Sequence, residues 1–223
     1  MSKIFSIAID GPAGAGKSTV AKALARELGA MYLDTGAMYR AFGLAILRMG
    51  IDTHDRPAVV SHIEDVEVSV AFMDGQQRLL LENEDVTDAI RQPEVAAAAS
   101  DVSTAPEVRR HMVALQQKIA RGHSVIMDGR DIGTDVLPDA TLKIYLTASA
   151  EQRALRRTQE LKLKGLPADY DQVLQDIQAR DYQDTHRAAS PLRVAEGAVV
   201  VDTSDMTLEE AVAAVRALAE RVI

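Results

Sequence analysis

The chain has no cysteine and no tryptophan, and only 4% of it is aromatic. Without cysteine it can build neither a disulfide framework nor a thiolate metal site. No apolar run approaches the roughly 20 residues that a membrane-spanning helix needs. The first residues lead into an apolar strand with no charged leader and apolar h-region, so a cytoplasmic protein is expected. Basic residues are the scarcer sign: 25 Lys and Arg stand against 33 Asp and Glu, a formal net charge of −8. That balance argues against general binding to nucleic acid or to an anionic membrane. Affinity for phosphate must then come from local clusters. No Asn-Lys-x-Asp segment occurs, which disfavours a regulatory GTPase. His54, His62, His111, His123 and His186 show no metal-ligand spacing, and surface or local structural roles are expected for them. No internal repeat or flexible linker interrupts the 223 residues, a length that suits one α/β core with small appended pieces.

What is present is a phosphate-binding signature. Gly11, Pro12, Ala13, Gly14, Ala15, Gly16, Lys17, Ser18 and Thr19 fill the positions of a P-loop. Ile4, Ile7, Ala8 and Ile9 before it read as a buried strand, and Val20, Ala21, Ala23, Leu24, Ala25 and Leu28 after it as an amphipathic helix. Consecutive N–H groups of such a loop can turn inward on phosphate oxygens at the positive end of the helix. Lys17 adds a mobile charge for the β- and γ-phosphates, and Ser18 a hydroxyl for Mg²⁺.

Strand-like and helix-like stretches alternate, as in a mostly parallel sheet with helices on its faces. Met31–Leu33, Ser124–Met127, Leu142–Leu146 and Ala198–Val201 read as further strands, Ala37–Met49 as a helix, and Thr207 with Glu210 as a capping box opening the last helix. Residues 64–83 break the pattern. Val66, Val68, Val70 and Phe72 alternate with polar residues, Asp74-Gly75 is a hairpin turn signal, and a second strand runs through Arg78 to Leu81. The hairpin belongs to an insert, either covering a substrate pocket or stabilising the fold as a decoration.

Arginine clusters narrow the class of P-loop protein. Arg153, Arg156 and Arg157 follow Ser149 and Gln152, which read as a second capping box, and lie at i, i+3 and i+4 on one helix face. They form either a polyphosphate-facing lid or a solvated stripe offset by Glu151 and Glu160. Arg180, Asp184 and Arg187, at i, i+4 and i+7, share a face if the helix continues, and either hold a phosphorylated sugar or form a salt-bridge ladder. Asp128, ending a buried strand, either helps hold Mg²⁺ through water or organises the neighbouring loop. A metabolite kinase with an alcohol acceptor would share the P-loop, but so many arginines favour an acceptor that already carries phosphate.

The run Gly11 to Thr19, Leu33-Asp34-Thr35-Gly36-Ala37-Met38-Tyr39-Arg40, Val95 to Ser100, Asp128-Gly129-Arg130-Asp131-Ile132-Gly133-Thr134 and Arg180 to Arg187 resemble the bacterial cytidylate kinases, in order and over essentially the whole chain. The resemblance implies a P-loop NTPase fold with a five-stranded parallel sheet, helices on both faces, a small antiparallel insert in the monophosphate-binding region and a short helical lid. Its parts would be a core at 1–35, 105–149 and 167–223, a monophosphate-binding region at about 36–104 and a lid at about 150–166, acting as one domain and one monomer. It also implies transfer of the ATP γ-phosphoryl group to CMP or dCMP with Mg²⁺; another nucleotide such as UMP, or a metabolite, is the alternative acceptor. By the same resemblance Arg40, Arg130 and Arg187 lie near the acceptor phosphate, Arg180 and Asp184 near the sugar, and Thr35, Ser100, Arg109 and Asp131 near the cytosine. Family members often carry Ser where this chain has Thr35, which keeps the hydroxyl. Lys17, Arg130, Arg153 and Arg157 are the expected catalytic cations, with Ser18 and Asp128 expected at the metal.

Overall fold

Ile7, Ala8 and Ile9 are sealed from solvent on every side, as an uninterrupted apolar run requires of a central strand in a parallel sheet. The computed structural model describes residues 4–73 and 76–223. The expected Asp74-Gly75 turn lies outside the described residues. In chain order the elements are β1 (Ser6–Asp10), α1 (Lys17–Leu28), β2 (Met31–Asp34), α2 (Thr35–Arg48), α3 (Arg56–Ser61), β3 (Val68–Met73), β4 (Gln76–Leu81), β5 (Glu84–Asp85), a 3₁₀ turn (Ala89–Arg91), α4 (Pro93–Val102), α5 (Pro106–Ala120), β6 (Val125–Gly129), a π-turn (Ile132–Val136), β7 (Leu142–Thr147), α6 (Ala150–Leu163), α7 (Tyr170–His186), β8 (Val199–Asp202) and α8 (Leu208–Ala219). Five strands form a parallel sheet in the order β2-β6-β1-β7-β8, and three form an antiparallel sheet, β3-β4-β5. The expected hairpin thus gains a short third strand, and it starts at Val68 rather than Val66. By density of contacts the chain divides into two units, residues 1–30 with 124–223, and residues 31–123.

In the first unit β1 lies between β6 and β7, with Ile7 opposite Ile126 and Leu142 and Ile9 opposite Asp128 and Ile144. This register ends β1 and β6 side by side, Asp10 opposite Gly129, at the carboxyl edge where parallel sheets bind ligands. Along β7 Leu142, Ile144 and Leu146 turn inward, whereas β8 at the sheet edge buries only Val201. Thr207 and Glu210 form the expected reciprocal cap of α8. At α6 only half of the expected box is made: Ser149 Oγ accepts from Gln152 N–H, while the Ser149 N–H donates to Ser204 Oγ at 2.9 Å. Helix α7 stops at His186 and Arg187 adopts an extended conformation, so the helical series expected over Arg180, Asp184 and Arg187 breaks before its last member. The Arg187 side chain is fixed instead by Nε donating to Ser190 O at 2.7 Å.

In the second unit α2 buries Met38, Phe42 and Ile46, and α4 buries Val95, Ala98, Ala99 and Val102. The two helices meet at Gly43, where a Cβ would stand 2.9 Å from the Ala99 backbone nitrogen. Val68 on β3 and Leu79 and Leu81 on β4 give the antiparallel sheet its buried face.

Candidate active site

The loop after β1 is shaped by close approach. A Cβ on Gly11 would sit 1.9 Å from the Leu146 carbonyl oxygen, at φ 149, so only glycine fits. At the far end Gly16 caps α1 with φ 87, and Lys17 and Ser18 open the helix. Lys17 is buried, and its Nζ donates to Pro12 O at 2.7 Å. Burial and then the neighbouring Arg130 push the ammonium down to about 7, against the pull of Asp128, Asp10 and Asp184. Phosphate oxygens would restore the charged form by the same Coulombic logic.

Ser18 Oγ donates to Asp128 Oδ2 at 2.8 Å, and Asp128 is itself buried at the end of β6. Both halves of the alternative posed for Asp128 therefore remain compatible with its position. Beside it stands a carboxylate that the sequence reading missed. Asp10 ends β1, and its Oδ1 and Oδ2 accept from the N–H groups of Ile132 and Gly133 at 2.8 and 2.7 Å. These amides belong to the π-turn after β6, a rare geometry enriched at functional sites. Burial drives the Asp10 carboxyl up to about 6, outweighing the two amides that favour its charge. The available signal was an ionisable residue closing an otherwise apolar strand, directly before the glycine-rich loop.

On the same edge Arg130 Nε donates to Asp184 Oδ2 at 2.7 Å, and Arg130 Nη1 donates to Gly129 O at 3.3 Å. Arg187 approaches Asp184 at 3.8 Å and Asp131 at 4.0 Å. Burial works against the Asp184 charge, but Arg130, Arg187 and Arg180 outweigh it and hold the carboxyl below its ordinary range. Arg180 itself is exposed. The first unit thus gathers Lys17, Arg130, Asp131, Asp184 and Arg187 with Asp10 and Asp128.

The three arginines of α6 do not share one environment. Arg153 is buried, donates from Nε to Ala148 O at 2.9 Å and from Nη1 to Ala13 O at 3.0 Å, and forms a two-pronged pair with Asp181 at 3.0 and 2.6 Å. Its guanidinium therefore rests on the phosphate loop. Arg156 donates to Thr203 Oγ1, Thr203 O and Met206 O and ties α6 to the segment after β8. Arg157 is solvent-exposed and pairs with Glu160 at 2.8 Å.

In the second unit the sequence-predicted residues cluster around the start of α2 and around α5. Asp34 caps α2, its Oδ1 accepting from Ala37 N–H at 2.8 Å and its Oδ2 from Arg40 Nη2 at 2.9 Å. Thr35, the first helical residue, is buried. Arg109 is buried on α5, donates from Nη1 to Ser103 O at 3.2 Å and lies 5.4 Å over the ring of Tyr39. Ser103 Oγ in turn donates to Ser100 O at 2.8 Å, which links Arg109 to the predicted Ser100. Tyr39 and Gln77, which donates from Nε2 to Asp34 O at 3.3 Å, were not foreseen.

Among the described residues no group of three or more His, Cys, Asp and Glu side chains could hold a metal ion by itself. The paired oxygens of Ser18 and Asp128 nevertheless fit Mg²⁺, which takes few protein ligands and completes its shell with water and phosphate. Among the described residues no helix is long and apolar enough to cross a membrane.

A phosphate loop at the carboxyl edge of a five-stranded parallel sheet, with its lysine set among arginines and carboxylates, defines a P-loop phosphotransferase. The chain belongs to the cytidylate kinase family: the Cytidylate kinase family model matches residues 7–221. It is accordingly a nucleoside-monophosphate kinase. It is 52% identical to a cytidylate kinase of Caldicellulosiruptor bescii over 221 residues, covering 99% of this chain and 98% of that one. The values are the same for a cytidylate kinase of Caldicellulosiruptor saccharolyticus. Among solved structures it resembles shikimate kinase from Bacteroides thetaiotaomicron, with TM-score 0.50 and 13% identity over 98% of this chain and 99% of that one. That likeness concerns the fold alone.

Proposed function

We propose that this protein transfers the γ-phosphoryl group of Mg-ATP in line to CMP and dCMP, giving ADP with CDP or dCDP. The observation that carries the reading is the convergence of Lys17, Arg130, Asp184 and Arg187 at one sheet edge, in a chain of the cytidylate kinase family. Phosphoryl transfer asks mainly for positioning and charge neutralisation. Backbone N–H groups of the loop at residues 11–19, Pro12 excepted, cradle the donor phosphates. Lys17, Arg130, Arg153 and Arg157 are the catalytic cations, and Arg153 already touches the loop through Ala13. Ser18, with Asp128 through water, would hold Mg²⁺, which would supply positive charge to offset that of the phosphates.

On the acceptor side Arg40, Arg130 and Arg187 grip the monophosphate, Arg180 and Asp184 the sugar, and Thr35, Ser100, Arg109 and Asp131 the cytosine. A monophosphate with a second pKa of about 6 is mostly dianionic at neutral pH. Its oxygen attacks without a general base, which a hydroxyl acceptor would require. Residues 150–166 act as a lid that closes on ATP, and 36–104 as the monophosphate-binding region. The protein works as a cytoplasmic monomer. Lys17→Ala tests the reading: kcat falls by orders of magnitude while the far-UV circular dichroism and melting temperature stay close to wild type. Unchanged turnover in the folded variant would contradict it.

A further inference from the structure

Along β4 the side chains of residues 77, 79 and 81 share one face. Leu79 and Leu81 are buried there, and the alternation calls for a third apolar residue where Gln77 stands. The Gln77 carboxamide is spent on one neighbour. Its Oε1 accepts from the Asp34 N–H at 2.7 Å, and its Nε2 donates to the Asp34 carbonyl at 3.3 Å. A side chain here does what an adjacent strand would do, engaging both polar groups of one backbone residue.

That residue is the junction between β2 and α2. With its main chain held by Gln77, Asp34 uses Oδ1 to cap the helix at Ala37 and Oδ2 to hold Arg40. A cation in the opening turns of a helix is opposed by the helix dipole, and an anion beside it relieves that cost. Asp34 supplies the anion here, and the monophosphate of a bound nucleotide is of the same charge type. The arrangement leaves little slack: a Cβ on Gly36 would stand 3.3 Å from Asp34 Oδ1 and 3.4 Å from Arg40 Nη1. A shift of Asp34 would therefore move the cap and the arginine together.

We infer that Gln77 is a positioning residue for the acceptor site, locking the Asp34 backbone so that, at the start of α2, Arg40 is set for the monophosphate and Thr35 for the cytosine. The inference rests on the acceptor role proposed for Arg40. It gives the antiparallel insert a task in recognition: the β3–β4 ladder, in which Gln77 pairs with Phe72, anchors the strand from which the carboxamide reaches Asp34.

The test is the dissociation constant for CMP and, separately, for ATP, measured by titration calorimetry on the full chain. Gln77→Leu removes both hydrogen bonds. Gln77→Glu, nearly isosteric, keeps the acceptor but sets a second oxygen against the Asp34 carbonyl. Both weaken CMP binding by about tenfold, the worth of one to two hydrogen bonds, and leave ATP binding and the melting temperature near wild type. In an Arg40→Ala background the effect of Gln77→Leu on CMP shrinks to about twofold or less, because coupled residues are not additive. Unchanged CMP affinity in either folded Gln77 variant, or equal weakening of CMP and ATP, overturns the inference. CMP affinity that is unchanged in Arg40→Ala alone overturns instead the role proposed for Arg40, so the two failures are told apart.

Discussion

Arg153 and Asp181 form a two-pronged ion pair, 2.6 Å at its shorter contact, in which the arginine side chain is only 5% exposed. Three and four residues further along the same helix, Arg156 and Arg157 make quite different contacts. The structure thus separates an arginine that both holds the fold and touches the phosphate loop from one that stands in solvent.

This separation predicts unlike outcomes for two similar substitutions. Arg153→Ala leaves Asp181 without its partner and should cost about 3 kcal/mol, or roughly 6–12 °C in melting temperature for a chain of this size, together with a fall in kcat. Arg157→Ala removes only an exposed pair worth about 0.5 kcal/mol, so its melting temperature should hold while kcat falls. Thermal denaturation beside steady-state kinetics checks both. An Arg157→Ala enzyme with wild-type kcat would remove Arg157 from the catalytic cations.

Asp10 predicts a pH dependence of stability. Its carboxyl rises from an ordinary 3.8 to about 6 in the folded protein. Between these values the folded state binds the proton more tightly than the unfolded chain does, so this group's contribution to stability falls as pH rises through the window and is constant outside it. At 1.36 kcal/mol per unit the full loss is about 3 kcal/mol. Urea denaturation of wild type and Asp10→Asn between pH 3.5 and 7 isolates the effect, since other groups cancel in the difference. Wild type should lose ground to the variant between about pH 4 and 6; a difference that does not vary with pH would show that the Ile132 and Gly133 amides cancel the effect of burial, and one of opposite sign that they outweigh it.

Asp131, the residue proposed to read the base, is buried and approached by Arg187 at 4.0 Å. An ionised aspartate only accepts, which suits the cytosine amine, and an arginine such as Arg109 only donates, which suits the ring nitrogen or neighbouring carbonyl. Uracil inverts that pattern. Asp131→Asn, whose amide also donates, should lower kcat/KM for CMP and narrow its advantage over UMP, because buried mismatched groups are what discriminate at such sites. If the ratio of kcat/KM for the two nucleotides stays the same in a folded, active variant, Asp131 does not read the base.

Much of the fold was legible because its signals are local. The apolar run before Gly11 and the periodic helix after Lys17 need no distant partner to be read, and Thr207 with Glu210 marks a helix start within four residues. Local pattern misled where a distant group decides. Ser149 resembles Thr207 in sequence, yet Ser204, 55 residues away, accepts its N–H. Arg153 and Arg156 look equivalent on a helical face, but Asp181 claims one and the Thr203 carbonyl the other. Arg187 continues a helical spacing that the backbone abandons at His186. Asp10 was hidden by its position, since its partners lie 122 and 123 residues ahead in the π-turn. Gln77 was hidden by its chemistry, being a neutral polar residue in an insert strand that bonds to backbone.

The central claim is that the acceptor is a cytidine monophosphate. It is tested most directly by incubating the protein with Mg-ATP and, in turn, CMP, dCMP, UMP, AMP, GMP and shikimate, and measuring kcat/KM from ADP release. CMP and dCMP should exceed every other acceptor by orders of magnitude, as expected of a site that discriminates through buried hydrogen bonds. Efficient phosphorylation of shikimate or a purine monophosphate, with CMP inert, would contradict the account.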